Sequence, residues 1–400
     1  MVSCDDLRVL SLTNIFPNAN NPRAAPYIRQ QAVALSSLCD LDVWALIPWF
    51  PGEELAWRWT YWKRDMSGTP REEMIDGLRV QHPRVLRVPR IGQSLSGVTY
   101  AASLMPWLVP RRHQFDVILA TWAYPDGVAA IVTGALLGIP TVVQVIGSDI
   151  DVTAHQPGPR AQLRWSLPRC RGVIAVSAPL GEAVAELGVS PSQIHVIPTG
   201  LNRRLFYPRD RAQARAHLGQ PNEPLIVFVG RLFEAKGVAD LLDAFDILAA
   251  RDPSCRLAIV GDGPLRGECE KRAARWQNRL TLTGEMGVEG VADWIAACDL
   301  LTLPSHHEGT PNVVLEALGS GRRVVASSVG GIPALLDDPR KGALVPARDV
   351  AALASALERV LREPYDPEEV ARSSNVYDWE ENARRIHDVL AAAARVPAKT

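Results

Sequence analysis

The chain has no pair of cysteines in Cys-x-x-Cys spacing: Cys4, Cys39, Cys170, Cys255, Cys269 and Cys298 are scattered along its 400 residues. That distribution indicates neither a zinc site nor a disulfide framework, and makes a reducing cytosol the simplest compartment. Net charge is missing as well. With 43 Lys and Arg against 44 Asp and Glu the formal charge is -1, so no overall field draws the chain to nucleic acid. The acidic start, Met1-Val2-Ser3-Cys4-Asp5-Asp6, lacks the basic region and apolar core of a secretory signal. No internal repeat or low-complexity tract is evident. Gly127 to Ile146 carries no charge over the length of a membrane span, but Gly138-Ile139-Pro140 divides it. The first part reads as a helix and the second, Thr141 to Ile146, as a buried parallel strand.

What is present is an ordinary globular composition, 47% apolar and 22% charged, in a chain too long for one typical core. Strand candidates are Arg8 to Leu12, Asp42 to Ile47, Asp116 to Ala120, Thr141 to Ile146, Val173 to Val176 and His195 to Ile197. Helical stretches near Tyr27 to Leu38, Gly127 to Leu137 and Pro179 to Leu187 alternate with them, and the pattern restarts at Leu225. This alternation predicts an α/β fold of two doubly wound parallel-sheet domains facing a cleft. Pro198-Thr199-Gly200 and Pro208 punctuate the passage between them. The expected domains are residues 1–200 and 201–375, followed by a terminal helical segment, 376–400.

Two glutamates in the second half stand out, Glu308 and Glu316, in the run Glu308-Gly309-Thr310-Pro311-Asn312-Val313-Val314-Leu315-Glu316 after the apolar strand Asp299 to Pro304. Pro311 suits the first position of a helix, which puts Glu308 in the preceding loop and Glu316 between one and two turns into the helix. The free amides between them attract an anion such as phosphate, and each carboxylate can accept bonds from sugar hydroxyls. The spacing suits two solvated acids at a helix start equally well.

A second constellation follows strand Leu225 to Val229: Gly230-Arg231-Leu232-Phe233-Glu234-Ala235-Lys236-Gly237. An Arg and a Lys, each beside a glycine after a buried strand, can bracket a pyrophosphate, although single basic residues in loops are usually only solvated. Strand Arg256 to Val260 ends in Gly261-Asp262-Gly263-Pro264, a weak echo of a dinucleotide fingerprint that reads as a turn near the ligand.

Together these segments resemble the family 4 retaining glycosyltransferases of the GT-B fold (glycosyl transferases group 1), whose two domains are Rossmann-like. The resemblance covers most of the chain and includes Gly284 and Gly330-Gly331-Ile332-Pro333. It implies a catalytic set in which Arg231 and Lys236 hold the diphosphate of a nucleotide-sugar donor and Glu308 contacts the donor sugar. Glu316 would contact the ribose. Gly230, Gly309, Thr310, Pro311, Asn312 and Val313 would lie beside the sugar and phosphates. The last helix, Trp379 to Val396, would return to the first domain. The nucleotide-sugar is a substrate, and no cofactor is implied.

The N-terminal domain is expected to receive the acceptor, because ligands of parallel sheets bind beyond the carboxyl ends of the strands. Its first such loop offers Asn14 as a sugar contact. Relatives often have glycine where this chain has Ala25, and many have His-Gly-x-Asp where it reads Ile146-Gly147-Ser148-Asp149; Ile146 cannot take over the histidine's role. Asp149 remains a candidate for an acceptor or donor contact, with a solvated or capping acid as the alternative. Asp149-Ile150-Asp151 also matches Asp-x-Asp, a weak metal signature. The resemblance implies that basic side chains and helix amides, here at Arg231, Lys236 and Asn312, neutralise the leaving diphosphate, so no catalytic metal is expected.

Five of the 11 tryptophans, Trp44, Trp49, Trp57, Trp59 and Trp62, fall in one short stretch. From Arg58 to Arg112 ten basic residues oppose four acidic ones, a local +6. Trp57 to Arg64 therefore suits an anionic membrane surface and a lipid-linked acceptor, or else an aromatic subcore with a basic rim. The reading that emerges is a cytoplasmic transferase, peripheral at the membrane, that moves a sugar with retention from a nucleotide-sugar to a glycan, lipid-linked or small-molecule acceptor, in cell-surface polysaccharide or glycolipid synthesis. The alternatives are a nucleotide-sugar epimerase of the same fold and a non-catalytic nucleotide-sugar binding module. No nucleic-acid partner is expected.

Overall fold

In the computed structural model, residues 7–22, 24–50, 68–87, 92–374 and 376–395 are described below. Trp57 to Arg64 lies outside them. The chain packs as two compact units: the segment up to Gly200 together with the stretch from Trp379 onward, and Leu201–Asp378.

The first unit is built on the strands β1 (Arg8–Thr13), β2 (Asp40–Ala45), β3 (Ile47–Trp49), β4 (Glu72–Ile75), β5 (Leu78–Gln81), β6 (Arg84–Leu86), β7 (Val117–Thr121), β8 (Thr141–Val145), β9 (Gly172–Ala175) and β10 (Ile194–Val196). Its main sheet has the order β10-β9-β8-β7-β1-β2-β5-β4. Every pairing is parallel except that of β4 with β5. β7 and β8 are buried throughout, as apolar strands covered on both faces should be. One face carries α1 (Pro26–Leu35), and the other α2 (Ser96–Leu108), α3 (Val128–Leu137), α4 (Pro157–Ser166) and α5 (Ala178–Glu186). The uncharged run from Gly127 to Ile146 becomes α3 and β8, separated where Gly138 turns left-handed at φ 74°. Among the described residues no helix is long and apolar enough to cross a membrane.

The second unit holds β11 (Leu225–Val229), β12 (Arg256–Val260), β13 (Leu280–Gly284), β14 (Leu300–Leu303), β15 (Arg323–Ser327) and β16 (Gly342–Val345), all parallel, in the order β13-β12-β11-β14-β15-β16. Its helices include α6 (Val238–Arg251), α7 (Arg266–Trp276), α8 (Val288–Ala297), α9 (Asn312–Gly319) and α10 (Val350–Arg362). The last helix, α11 (Trp379–Arg395), belongs to the first unit. Its Ala383, Ile386 and Leu390 are fully buried in a cluster with Val9, Val142 and Ile174.

The structure differs from the sequence reading in three places. The expected strand Asp42 to Ile47 divides into β2 and β3, and β3 pairs with β6 in a separate small sheet. The hairpin β4–β5 makes the sheet edge antiparallel, turning at Asp76 (φ 49°) and Gly77 (φ 81°). Helix α9 begins at Asn312, one residue later than expected, because Pro311 has an extended ψ of 115°. Trp44 belongs to an aromatic subcore, edge-on to Trp107 at 6.0 Å and to Phe115 at 5.9 Å, whereas Trp49 is partly exposed.

Helix α1 is pinned to the sheet by a buried amide pair: Gln31 Nε2 donates to Gln144 Oε1 at 2.7 Å, and Gln144 Nε2 donates to Gln31 Oε1 at 2.9 Å. Gln31→Leu strands the Gln144 amide in the core, and should lower the unfolding free energy in urea by about 1–3 kcal/mol. Gln31→Leu/Gln144→Leu should cost less than the two single changes added together. Strict additivity would show that the pair is not coupled.

Candidate functional site

At the carboxyl end of β11 the chain turns through Gly230 to Gly237. The Gly230 amide donates to Val260 O at 3.0 Å and the Leu232 amide to Asp262 O at 3.0 Å, so this loop rests on the Gly261-Asp262-Gly263 turn. Leu232 is buried in the unit's core. Arg231 beside it is exposed, its guanidinium 4.6 Å from the centre of the Phe233 ring. A single 3₁₀ turn, Glu234–Lys236, then leads through Gly237 into α6. Gly237 has φ 65°, and a Cβ there would lie 1.9 Å from Pro304 O. No other residue type fits this close approach without displacing backbone.

The loop after β14 meets this one. His306 donates its amide to Ala235 O at 2.8 Å, and its Nε2 bonds Asp240 Oδ2 on α6 at 2.7 Å, so His306 acts as a clasp between the two loops; the exposed His307 has no part in it. Lys236 Nζ then lies 2.5 Å from Glu308 Oε1, which also accepts from Ser305 Oγ at 2.8 Å. The Glu308 side chain is 9% exposed and that of Lys236 31%. The backbone of Glu308 and Gly309 is backed by Gly330-Gly331: a Cβ on Gly330 (φ 55°) would lie 1.8 Å from Glu308 O, and the Gly331 amide donates to Gly309 O at 2.8 Å.

Helix α9 starts in this setting without a side-chain cap; the Val314 amide donates to Pro311 O at 3.1 Å, and those of Asn312 and Val313 stay available to an anion. Thr310 Oγ1 and Asn312 Oδ1 are buried and have no hydrogen-bond partner. Polar atoms buried in this way cost stability unless something bonds them. Glu316 is buried in the second turn, 3% exposed. The second unit thus gathers Lys236, Glu308, Gly309, Thr310, Asn312 and Val313 around one helix start, with Gly230 and Arg231 at the end of the neighbouring strand β11.

Asn14 and Asp149 lie in the first unit, at the carboxyl ends of β1 and β8. Asp149 is turned inward. It is fully buried, and its carboxylate accepts from the amides of Ala123 (2.8 Å), Gly147 (2.9 Å) and Ile146 (3.2 Å). Its bonds thus all go to backbone amides, and Asp151 is exposed, so the two acids of the Asp-x-Asp run stand in different surroundings. Among the described residues no three His, Cys, Asp or Glu side chains cluster as a metal site. The described cysteines are free and buried; burial pushes the Cys298 thiol up to about 12.

Asp126, absent from the sequence reading, stands beside Asn14. It is fully buried in the turn Ala123–Gly127, and its Oδ2 accepts the Asn14 amide at 2.6 Å. Its Oδ1 has no partner. Burial holds this carboxyl well above the usual carboxylate range; Asp149 adds to the rise, whereas the Asn14 amide and Arg87 oppose it. Burial raises the Tyr100 phenol above its usual range, and the neighbouring Asp126 adds to the rise. The available signal was Tyr124-Pro125-Asp126-Gly127, a turn sequence at the carboxyl end of a buried strand.

Known proteins share both halves of this arrangement. Residues 24–200 match the model of the glycosyl transferase 4-like domain, and residues 223–363 that of the glycosyl transferases group 1. The alpha-D-kanosaminyltransferase of Streptomyces kanamyceticus is 34% identical over 327 residues, 74% of this chain and 84% of the relative. The chain belongs to the glycosyl transferases group 1 family. This glycosyltransferase is also 28% identical to the putative teichuronic acid biosynthesis glycosyltransferase TuaC of Bacillus subtilis, over 95% of the chain and 97% of the relative. Sucrose-phosphate synthase from Thermosynechococcus elongatus superposes with a TM-score of 0.68 at 22% identity, covering 97% of this chain and 96% of its own. Anabaena HepE in complex with UDP-glucose does so with a TM-score of 0.64 at 20% identity, covering 97% and 99%. The glycosyltransferase therefore has the GT-B fold, two Rossmann-like parallel-sheet domains, and takes its sugar from a nucleotide-sugar.

The buried Asp126 gives a pH signature. Its folded-state pKa lies above the ordinary 3.8, so the native state holds this proton more tightly than the unfolded chain does. The contribution is complete below about pH 4 and is lost as pH rises through the folded pKa. Asp126→Asn keeps an acceptor for the Asn14 amide without the ionisation. Its melting temperature should exceed that of the wild type at pH 7, and the gap should close toward pH 4. A gap that widens on acidification would mean that the native site holds a carboxylate instead.

Proposed function

We propose that this glycosyltransferase transfers a sugar, with retention of anomeric configuration, from a nucleoside-diphosphate sugar to a glycan or lipid-linked hydroxyl in cell-surface polysaccharide synthesis. The observation that carries the donor half of this reading is the Lys236–Glu308 contact beside an uncapped helix start with two orphaned polar atoms. An ammonium has three donors, so Lys236 can serve the diphosphate while still holding Glu308. Arg231, exposed at the adjacent strand end, is free to turn toward the same phosphates. Amides from Gly309 to Val313 stabilise negative charge as the diphosphate departs, the largest contribution expected to the barrier. Glu308, fixed by Lys236 and Ser305, takes the donor sugar, and Glu316 the ribose.

The surface-polysaccharide context is supported by TuaC, which matches along nearly its whole length. The relatives named above are transferases, which favours transfer over the epimerase and binding-module alternatives. In this reading basic side chains and helix amides neutralise the leaving group without a metal. The Leu201–Asp378 unit holds the donor and the first unit the acceptor, with Asn14 at the end of β1 as a candidate contact.

Nucleotide-sugars can be screened by thermal shift, starting with UDP-glucose, since a ligand at a hundred times its Kd adds about 2.7 kcal/mol of apparent stability. With the donor found, Lys236→Ala or Arg231→Ala should lower kcat/KM by roughly 10²- to 10³-fold. Glu316→Ala should chiefly weaken binding of the free nucleoside diphosphate in calorimetry, whereas Glu308→Gln should leave that binding near wild type and impair transfer. Near-normal kinetics in folded Lys236→Ala and Arg231→Ala would remove both from the mechanism.

A further inference from the structure

Helix α2 has an unusual outer face. Its inner stripe, Tyr100, Ala101, Leu104 and Leu108, is buried in the core of the first unit. The outer stripe is apolar too: Leu95 is 55% exposed, Val98 56% and Val109 43%, with the exposed Ala102 and Pro106 between them. Residues 91–110 contain no charged side chain. A surface helix of a globular protein ordinarily places charged and polar residues on that side, and a run of exposed apolar residues marks an interaction surface.

Helix α4 adjoins the start of α2. Gln162 Nε2 donates to Ser94 O, and a Cβ on Gly158 would meet Ser94 Cβ at 2.5 Å. Leu163 of α4 and Leu104 of α2 belong to one core cluster, so both helices pack on the same core and meet at the start of α2. That of α4 carries Arg160, Arg164 and Trp165, which is 52% exposed, and the Arg169 guanidinium stands 4.7 Å from the Trp165 ring centre. Arg111 and Arg112 end the α2 stripe. No acidic residue occurs between Asp76 and Asp116 or between Asp151 and Glu182.

We propose that this joint face of α2 and α4 docks the enzyme on an anionic lipid bilayer. The apolar stripe lies at the depth of the acyl boundary, Trp165 sits at the headgroup level, and the arginines meet lipid phosphates. Charge argues for this occupant over a second copy of the chain, because two such faces would set arginine against arginine with no acid to pair. The residues that form this face are other than Trp57 to Arg64 in the sequence, and the proposal needs no assumption about the acceptor.

The test is sedimentation of the full-length enzyme, without substrates, with vesicles of phosphatidylcholine alone or mixed with phosphatidylglycerol. The wild type should bind the anionic vesicles, and less so as salt rises. Arg160→Gln/Arg164→Gln/Arg169→Gln should weaken binding about 10²-fold, each arginine accounting for about fivefold. Val98→Ser/Val109→Ser, which changes only exposed side chains, should also release the enzyme. Both variants should keep the wild-type melting temperature and affinity for nucleoside diphosphate. No binding by the wild type, or equal binding to both kinds of vesicle, would overturn the proposal. So would undiminished binding by both folded variants, which would assign attachment to another part of the chain, and a dimer in sedimentation velocity that Val98→Ser/Val109→Ser dissociates.

Discussion

Lys236 and Glu308 stand 72 residues apart in sequence, and they touch because two backbone segments come closer than side chains normally permit. Gly237 lets its loop lie against the carbonyl of Pro304, and Gly330 lets another turn lie against the carbonyl of Glu308. The ion pair is therefore held by main chain rather than by its own attraction. A partly exposed pair is worth little on its own, but a pair whose two loops are already fixed loses little entropy when it forms. The candidate site inherits its shape from that constraint: Ser305 steadies the carboxylate, His306 closes the loops over Asp240, and α9 starts where no side chain competes for its amides.

The two acids at the carboxyl edge of the first sheet play a different part. Asp149 gathers three backbone amides at the end of β8, and Asp126 joins the turn after β7 to the loop after β1. Neither is open to solvent. They replace the regular ladder where the strands end and the chain must bend, so that orphaned amides are satisfied by side chains. They differ in how well they are satisfied: Asp149 accepts three bonds, whereas Asp126 accepts one and leaves an oxygen bare.

Those details were unevenly legible in the sequence. Strands β11, β12 and β14 could be read directly because buried parallel strands are continuous apolar runs, and Glu308 and Lys236 could be found because each follows such a strand. Their contact could not, since it rests on close approaches between distant glycines and carbonyls. The β4–β5 hairpin was missed because its edge strand, Glu72-Glu73-Met74-Ile75, lacks the apolar density of a core strand, although Asp76-Gly77 is a hairpin turn signal. Asp149 was visible as an acid after a strand, but only the fold reveals that its carboxylate turns inward.

The first unit is discontinuous: its cluster around Val9, Val142 and Ile174 is completed by Ala383, Ile386 and Leu390 from α11, and Trp379 Nε1 donates to Gln30 Oε1 at 2.6 Å. During synthesis the sheet that begins at Arg8 must therefore wait for nearly the whole chain before its last face is covered. The Leu201–Asp378 unit, continuous in sequence, can close its own core first, as domains generally fold in units. Until α11 arrives, part of one face of the earlier sheet remains open to water, and to any chaperone or neighbouring chain that recognises bare apolar strands.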